Sequence, residues 1–182
     1  LSAELTATGS FTARASRLSP ALAVRQDLGR AAGVTLSLSR RHQLLQSLRN
    51  PESVVGHIFP AELPALAGYS GVAVGRGDEA GVELELRPAV ALRLELRGFV
   101  RHAEGLALVA PRQADPFVTV GLASGTSRAA GASLAIGWSG SRHELVARYA
   151  LQRVRVSYGD TTYIPSWGGR QLLDAGLVLR PM

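Results

Sequence analysis

The chain has 182 residues, 46% of them hydrophobic and 19% charged, which is enough apolar material for one folded domain and too much for a disordered segment. It has no cysteine, which excludes a disulfide scaffold, thiolate metal sites and a cysteine nucleophile. The +6 formal charge sets twenty arginines, and no lysine, against fourteen acids; the arginines are dispersed among those acids without aromatic clusters, so no nucleic-acid interface is expected.

The chain opens at Leu1 with no basic, then apolar leader, and is therefore expected to be mature, processed or a fragment. Its first periodic stretch alternates Ala3, Leu5 and Ala7 with Ser2, Glu4, Thr6 and Thr8. A period of two is the signature of a strand, because successive side chains leave a strand on opposite faces. Leu22 and Val24 alternate with Ala23, Arg25 and Asp27 in the same way, and after residues 29–33 so do Val34, Leu36 and Leu38 with Thr35, Ser37 and Ser39.

A long connection follows, over residues 41–78. Its centre, 54–74, is the most apolar long stretch of the chain. It contains His57, Pro60, Glu62, Pro64, Gly68 and Gly71, which argue against a membrane-spanning helix. If the chain enters a membrane, only a closed barrel can satisfy its backbone there. This loop also holds His57, Phe59 and Tyr69, which are the candidate ligand-contacting residues, since long loops above a rigid scaffold are where binding groups concentrate.

The clearest pattern lies in residues 81–101. Val82, Leu84 and Leu86 alternate with Glu83, Glu85 and Arg87; after Pro88-Ala89, Leu92, Leu94 and Leu96 alternate with Arg93, Glu95 and Arg97. Two such runs across a short Pro-containing link predict a hairpin. Glu83 and Glu85 share a face, but Arg87, Arg93 and Arg97 are neighbours. A cross-strand charge ladder is therefore expected in place of acid–base catalysis. A second long connection spans 102–128. Ala130, Ala132, Leu134, Ile136 and Trp138 then form a strand, and after a turn near residues 139–142 so do Leu145, Ala147, Tyr149 and Leu151. Beyond Gln152 the apolar set changes phase to Val154, Val156 and Tyr158, which predicts either a bulge or a strand that has left its apolar layer. After a third long connection, 159–170, the last strand carries Leu173, Ala175, Leu177 and Leu179.

These eight strands, with short and long connections alternating, predict an all-β, antiparallel up-and-down transmembrane β-barrel. A soluble β-sandwich alternates too, with its apolar face inward. The small Ala, Val and Leu side chains of the apolar face fit a lipid-facing surface better than a packed core, and Trp138 and Tyr149 are candidates for the aromatic girdles. No helix-borne phosphate loop or serine elbow is present, and His42, His57, His102 and His143 form no spaced metal pair on one element. No enzymatic activity, metal or cofactor is expected.

Leu18-Ser19-Pro20-Ala21-Leu22 at a strand start, Arg49-Asn50-Pro51-Glu52-Ser53 in the long loop, Gly105 through Pro111, and the glycine-bounded segment 125–131 leading into the strand at Ala132 are similar to patterns of a known family. From about Leu18 onward the chain resembles the carboxy-terminal part of the barrel in TonB-dependent outer-membrane receptors. The resemblance implies a cell outer-membrane location, contact with outer-membrane lipid, and energy-coupled uptake of a small, scarce nutrient of the siderophore, cobalamin or oligosaccharide class. It also implies an energy-coupling protein that acts through a plug domain. The chain departs from the family in lacking that plug and its coupling box, in having far fewer than 22 strands, and in ending Leu179-Arg180-Pro181-Met182 without a terminal aromatic. Residues 1–182 are therefore expected to be a single segment, a fragment of the barrel domain. The alternatives are a complete eight-stranded barrel with an adhesive or structural role, closed between residues 3–8 and 173–179, and a soluble β-sandwich binding module.

Overall fold

Alternating side chains and turn residues build one antiparallel sheet. The computed structural model describes residues 1–12, 15–47, 64–66, 73–110, 121–165 and 168–179. Its strands are β1 (Ser2–Phe11), β2 (Ser16–Asp27), β3 (Ala32–Gln43), β4 (Leu45–Ser47), β5 (Pro64–Leu66), β6 (Gly75–Ala89), β7 (Leu92–Ala110), β8 (Gly121–Ser139), β9 (His143–Tyr158), β10 (Thr161–Tyr163) and β11 (Gly169–Leu179). The main sheet has nine strands in the order β1-β2-β3-β6-β7-β8-β9, with β10 and β11 sharing the far edge of β9; β4 and β5 form a separate small hairpin. All eight strands expected from the alternation are present, and each pairs antiparallel with its neighbour in the chain order of the meander.

The sheet is not closed. β1 pairs only with β2, and β11 only with β9, so the junction required by a complete eight-stranded barrel is absent. Tight turns join β2 to β3, β6 to β7 and β8 to β9 along one edge of the sheet, the turn rim. At the opposite, loop rim the link between β1 and β2 is also short, closed by Thr12 N–H donating to the Ala15 carbonyl at 2.7 Å. The connections therefore do not alternate strictly in length.

Two irregularities shape β7. The register shifts between Leu86 and Ala89 at its turn, and again between Glu104 and Leu106. The second is a bulge at Gly105, whose φ of 68° is in the left-handed region. A Cβ there would stand 2.5 Å from the Val74 carbonyl oxygen, so glycine is required twice over, for conformation and for space.

The phase change in β9 is not a bulge. The ladder with β8 runs without a shift from Thr126↔Ser157 to Ser139↔Glu144. Val154 and Val156 therefore stay on the same face as Arg148 and Gln152, where they are 6% and 3% exposed. Arg153 and Arg155 take positions on the apolar face, so the strand has left the apolar layer.

The registers sort the side chains into two faces. One row of the apolar face crosses the sheet as Val24, Leu36, Val82, Gly98, Ala132, Leu151 and Gln171. In β7 and β8 this apolar band covers residues 92–100 and 130–138, nine residues each, the length needed by a tilted strand crossing a bilayer. The band drifts along the sheet. On the turn-rim side it ends at Val24 in β2, whose row meets β11 at Gln171; in β11 it ends at Leu179, eight residues further, after six strand-to-strand steps. With ~3.3 Å per residue and ~4.8 Å between strands, a level band of this drift requires strands tilted by about 40°.

Burial is inverted relative to a soluble domain. Among the described residues the buried hydrophobic side chains are Leu44, Val154 and Val156, while the band is open: Leu38 is 58% exposed and Leu173 74%. The buried charge, Glu85, lies on the polar face. Among the described residues, nothing covers the apolar face.

Candidate functional site

The charged side chains of the sheet gather in two places. The first is on the polar face near the turn rim. The hairpin β6–β7 sets Glu83 opposite Arg97 and Glu85 opposite Glu95. Two carboxylates directly opposed would repel, yet arginines separate them. Glu85 is ion-paired with Arg87 at 2.6 Å, with Arg93 at 3.3 Å and with Arg25 at 3.3 Å. Arg93 and Arg97 both hold Glu95, at 2.9 and 3.2 Å, Arg97 also holds Glu83 at 3.0 Å, and Arg25 holds Asp27 at 3.0 Å. Four acids and four arginines thus form one continuous, neutral network.

Arg25 enters this network from β2, two strands away from Glu85. It passes over Gly33 of β3, where a Cβ would lie 3.2 Å from the guanidinium. The missing side chain opens the path. The ladder expected from Glu83, Glu85 and the arginines of the hairpin is therefore found, and it is extended by a residue sixty positions away that local spacing could not reveal. Higher on the same face, Arg101 binds Glu79 and stands over the Phe99 ring at 5.8 Å. Phe99 in turn packs in the space left by Gly131 opposite, where a Cβ would come within 2.5 Å of the ring.

The second gathering lies on the apolar face, along its loop-rim boundary. The cross-strand row reads Arg40, Asp78, His102, Arg128 and Arg155. Arg40 donates to Asp78 at 2.6 and 3.2 Å in a two-pronged pair, and Arg76 donates to the same carboxylate at 2.6 Å. His102 stands 3.1 Å from Glu104. Arg128, Arg155 and the adjacent Arg153 have no acidic partner among the described residues. A groove of about 920 Å³ follows this boundary from Leu5 in β1 to Arg155 in β9.

The loop residues His57, Phe59 and Tyr69 lie outside the described residues. His42 and His102 are engaged by Ser19 at 3.3 Å and by Glu104 at 3.1 Å. Among the described residues no three His, Asp or Glu side chains stand at metal-ligand spacing. Trp138 is at the turn-rim edge of the band, with its ring 4.5 Å from that of His143. Tyr149 sits inside the band, between Leu134 and Leu173, one alternate position from its edge at Leu151. Side-chain alternation does not single out the arginine trio; its one signal is the phase change after Gln152, which sets Arg153 and Arg155 at positions of the apolar face.

Chemically, the polar network can hold water and polar solute against a neutral wall, and the boundary row can hold an anion. Comparisons with protein-family models, with characterised proteins and with solved structures find no match to the chain.

Proposed function

We propose that this chain is the wall of a transmembrane β-barrel in an outer-membrane receptor that takes up a scarce nutrient by an energy-coupled route. The observation that carries the membrane part of the reading is the exposed apolar band, nine residues tall in β7 and β8, which no other described residue covers. Its drift corresponds to the strand tilt of about 40° that such barrels use. A soluble sandwich turns its apolar face inward, whereas here the buried charge, Glu85, is on the other face. The free edges of β1 and β11 would leave unpaired backbone groups in lipid, so in this reading further strands, from the same protein or another copy, complete the wall.

The transport part rests on the resemblance to TonB-dependent receptors and on the polar face, whose neutral network suits a water-filled interior. Nutrient recognition is assigned to the loop residues His57, Phe59 and Tyr69, with coupling through a plug domain. Replacing these three with alanine should lower nutrient uptake without altering insertion.

Nitroxide labels placed singly from Leu94 to Arg101 in bilayers test the membrane reading. Leu94, Leu96 and Val100 should be accessible to oxygen dissolved in the lipid, and Glu95, Arg97 and Arg101 to a water-soluble relaxant. A pattern without this period of two, or with the phases exchanged, would remove the reading.

A further inference from the structure

The boundary row of the apolar face divides into two halves. From β3 to β7 its charges are matched: Arg40 and Arg76 share Asp78, and His102 meets Glu104. From β8 to β9 they are not. Arg128 and Arg155 are directly opposed across the two strands, and Arg153, two residues along the same face, is opposed by Ala130. None of the three has an ion-pair partner among the described residues. Like charges facing each other across a ladder destabilise it unless an anion lies between them.

A second, independent feature adjoins this cluster. The three arginines line one end of the ≈ 920 Å³ groove, and Leu22, Leu38 and Val100, beside the already paired Arg40, Asp78 and His102, line the remainder of it. A ligand that fills both parts has an anionic head and a hydrocarbon tail. A free anion would satisfy the guanidiniums and leave the apolar trough empty. Guanidinium forks match the oxygens of a phosphate in pairs, which makes a phosphate the favoured head group. We propose that Arg128, Arg153 and Arg155 bind the phosphate of an anionic membrane lipid, with its acyl chain lying along the groove. The inference rests on the assignment of the apolar face to lipid, and adds to it a lipid class and a place.

The test uses the full chain in non-ionic detergent micelles, with retained lipid measured by native mass spectrometry and with phosphatidylglycerol and phosphatidylcholine as probes. Wild type should retain phosphatidylglycerol in preference to phosphatidylcholine. That preference should weaken about fivefold for each arginine removed, in R128A and then in R128A/R155A. R142A, in the tight turn at the opposite rim, should leave it unchanged. If the double variant does not fold, wild type and R128Q decide. Equal retention of the two lipids by wild type, or an unchanged preference in R128A or R128Q, overturns the proposal. So does inorganic phosphate binding the lipid-free micelles as strongly as the lipid does, because the site would then recognise a soluble anion. Failure of the membrane reading is distinguishable: the period-two label pattern in β7 would be missing. With that pattern present and no lipid preference, the lipid site alone falls.

Discussion

The arginines around Glu85 and those around Arg155 are the same chemistry under two regimes. On the polar face, four arginines meet four carboxylates, and the central acid is 6% exposed. On the apolar face, β8 and β9 present three arginines with no acid opposite. The first cluster is internally neutral, as a charge withdrawn from solvent must be, since an uncompensated ion of that kind is costly. The second stands at the edge of an open surface, where water or an external anion can do the compensating. Pairing therefore distinguishes a structural cluster from one available to a ligand, which composition cannot do.

The largest effect tests the faces themselves. Leu96→Arg places a charge in the middle of the apolar band and should destabilise the protein in lipid by about 2–4 kcal/mol. Ser37→Arg, on the opposite face with only Ala23 and Gly81 directly beside it, should cost well under half of that. Urea unfolding in detergent or bilayers measures both, and equal costs would mean that the apolar face does not contact lipid. A smaller effect tests the neutral cluster. Glu85→Ala leaves Arg25, Arg87 and Arg93 facing one another without their shared acid. Loss of about 2 kcal/mol is expected, less than for a fully enclosed pair because the arginines are themselves about half exposed. An unfolding midpoint within error of wild type would show that the network is ornamental. The smallest effect sharpens the contrast at the boundary row. Ala130→Glu sets an acid directly opposite Arg153 and two residues from Arg128 on the same face of β8. It should raise stability at low salt by up to ~0.5 kcal/mol, a gain lost at high salt, because an exposed pair is weak and screened. If the gain is absent at low salt, the three arginines are already neutralised from elsewhere.

Much of the fold was legible in the side-chain alternation. All eight strands of the meander could be read from a period of two, because one face was apolar and the other polar along almost every strand. Val82, Leu84 and Leu86 against Glu83, Glu85 and Arg87 also foretold which charges would meet across the β6–β7 hairpin, since a tight turn fixes its own register. What local pattern could not supply was anything set by strands distant in sequence. Arg25 reaches Glu85 only because β3 lies between β2 and β6 and carries Gly33 at the crossing point.

The phase change after Gln152 shows the same division. The sequence by itself determined that apolar and polar residues exchange places there, and left a bulge and a departure from the apolar layer as equal readings. The unbroken ladder between β8 and β9 decided for the departure, and in doing so brought Arg153 and Arg155 beside Arg128. Side-chain alternation is a property of each strand alone, so it is written in the chain. Which strand lies beside which, at what register, whether the edges close and how the apolar band drifts from β2 to β11 are properties of pairs. They were settled only when backbone hydrogen bonds joined residues far apart in sequence.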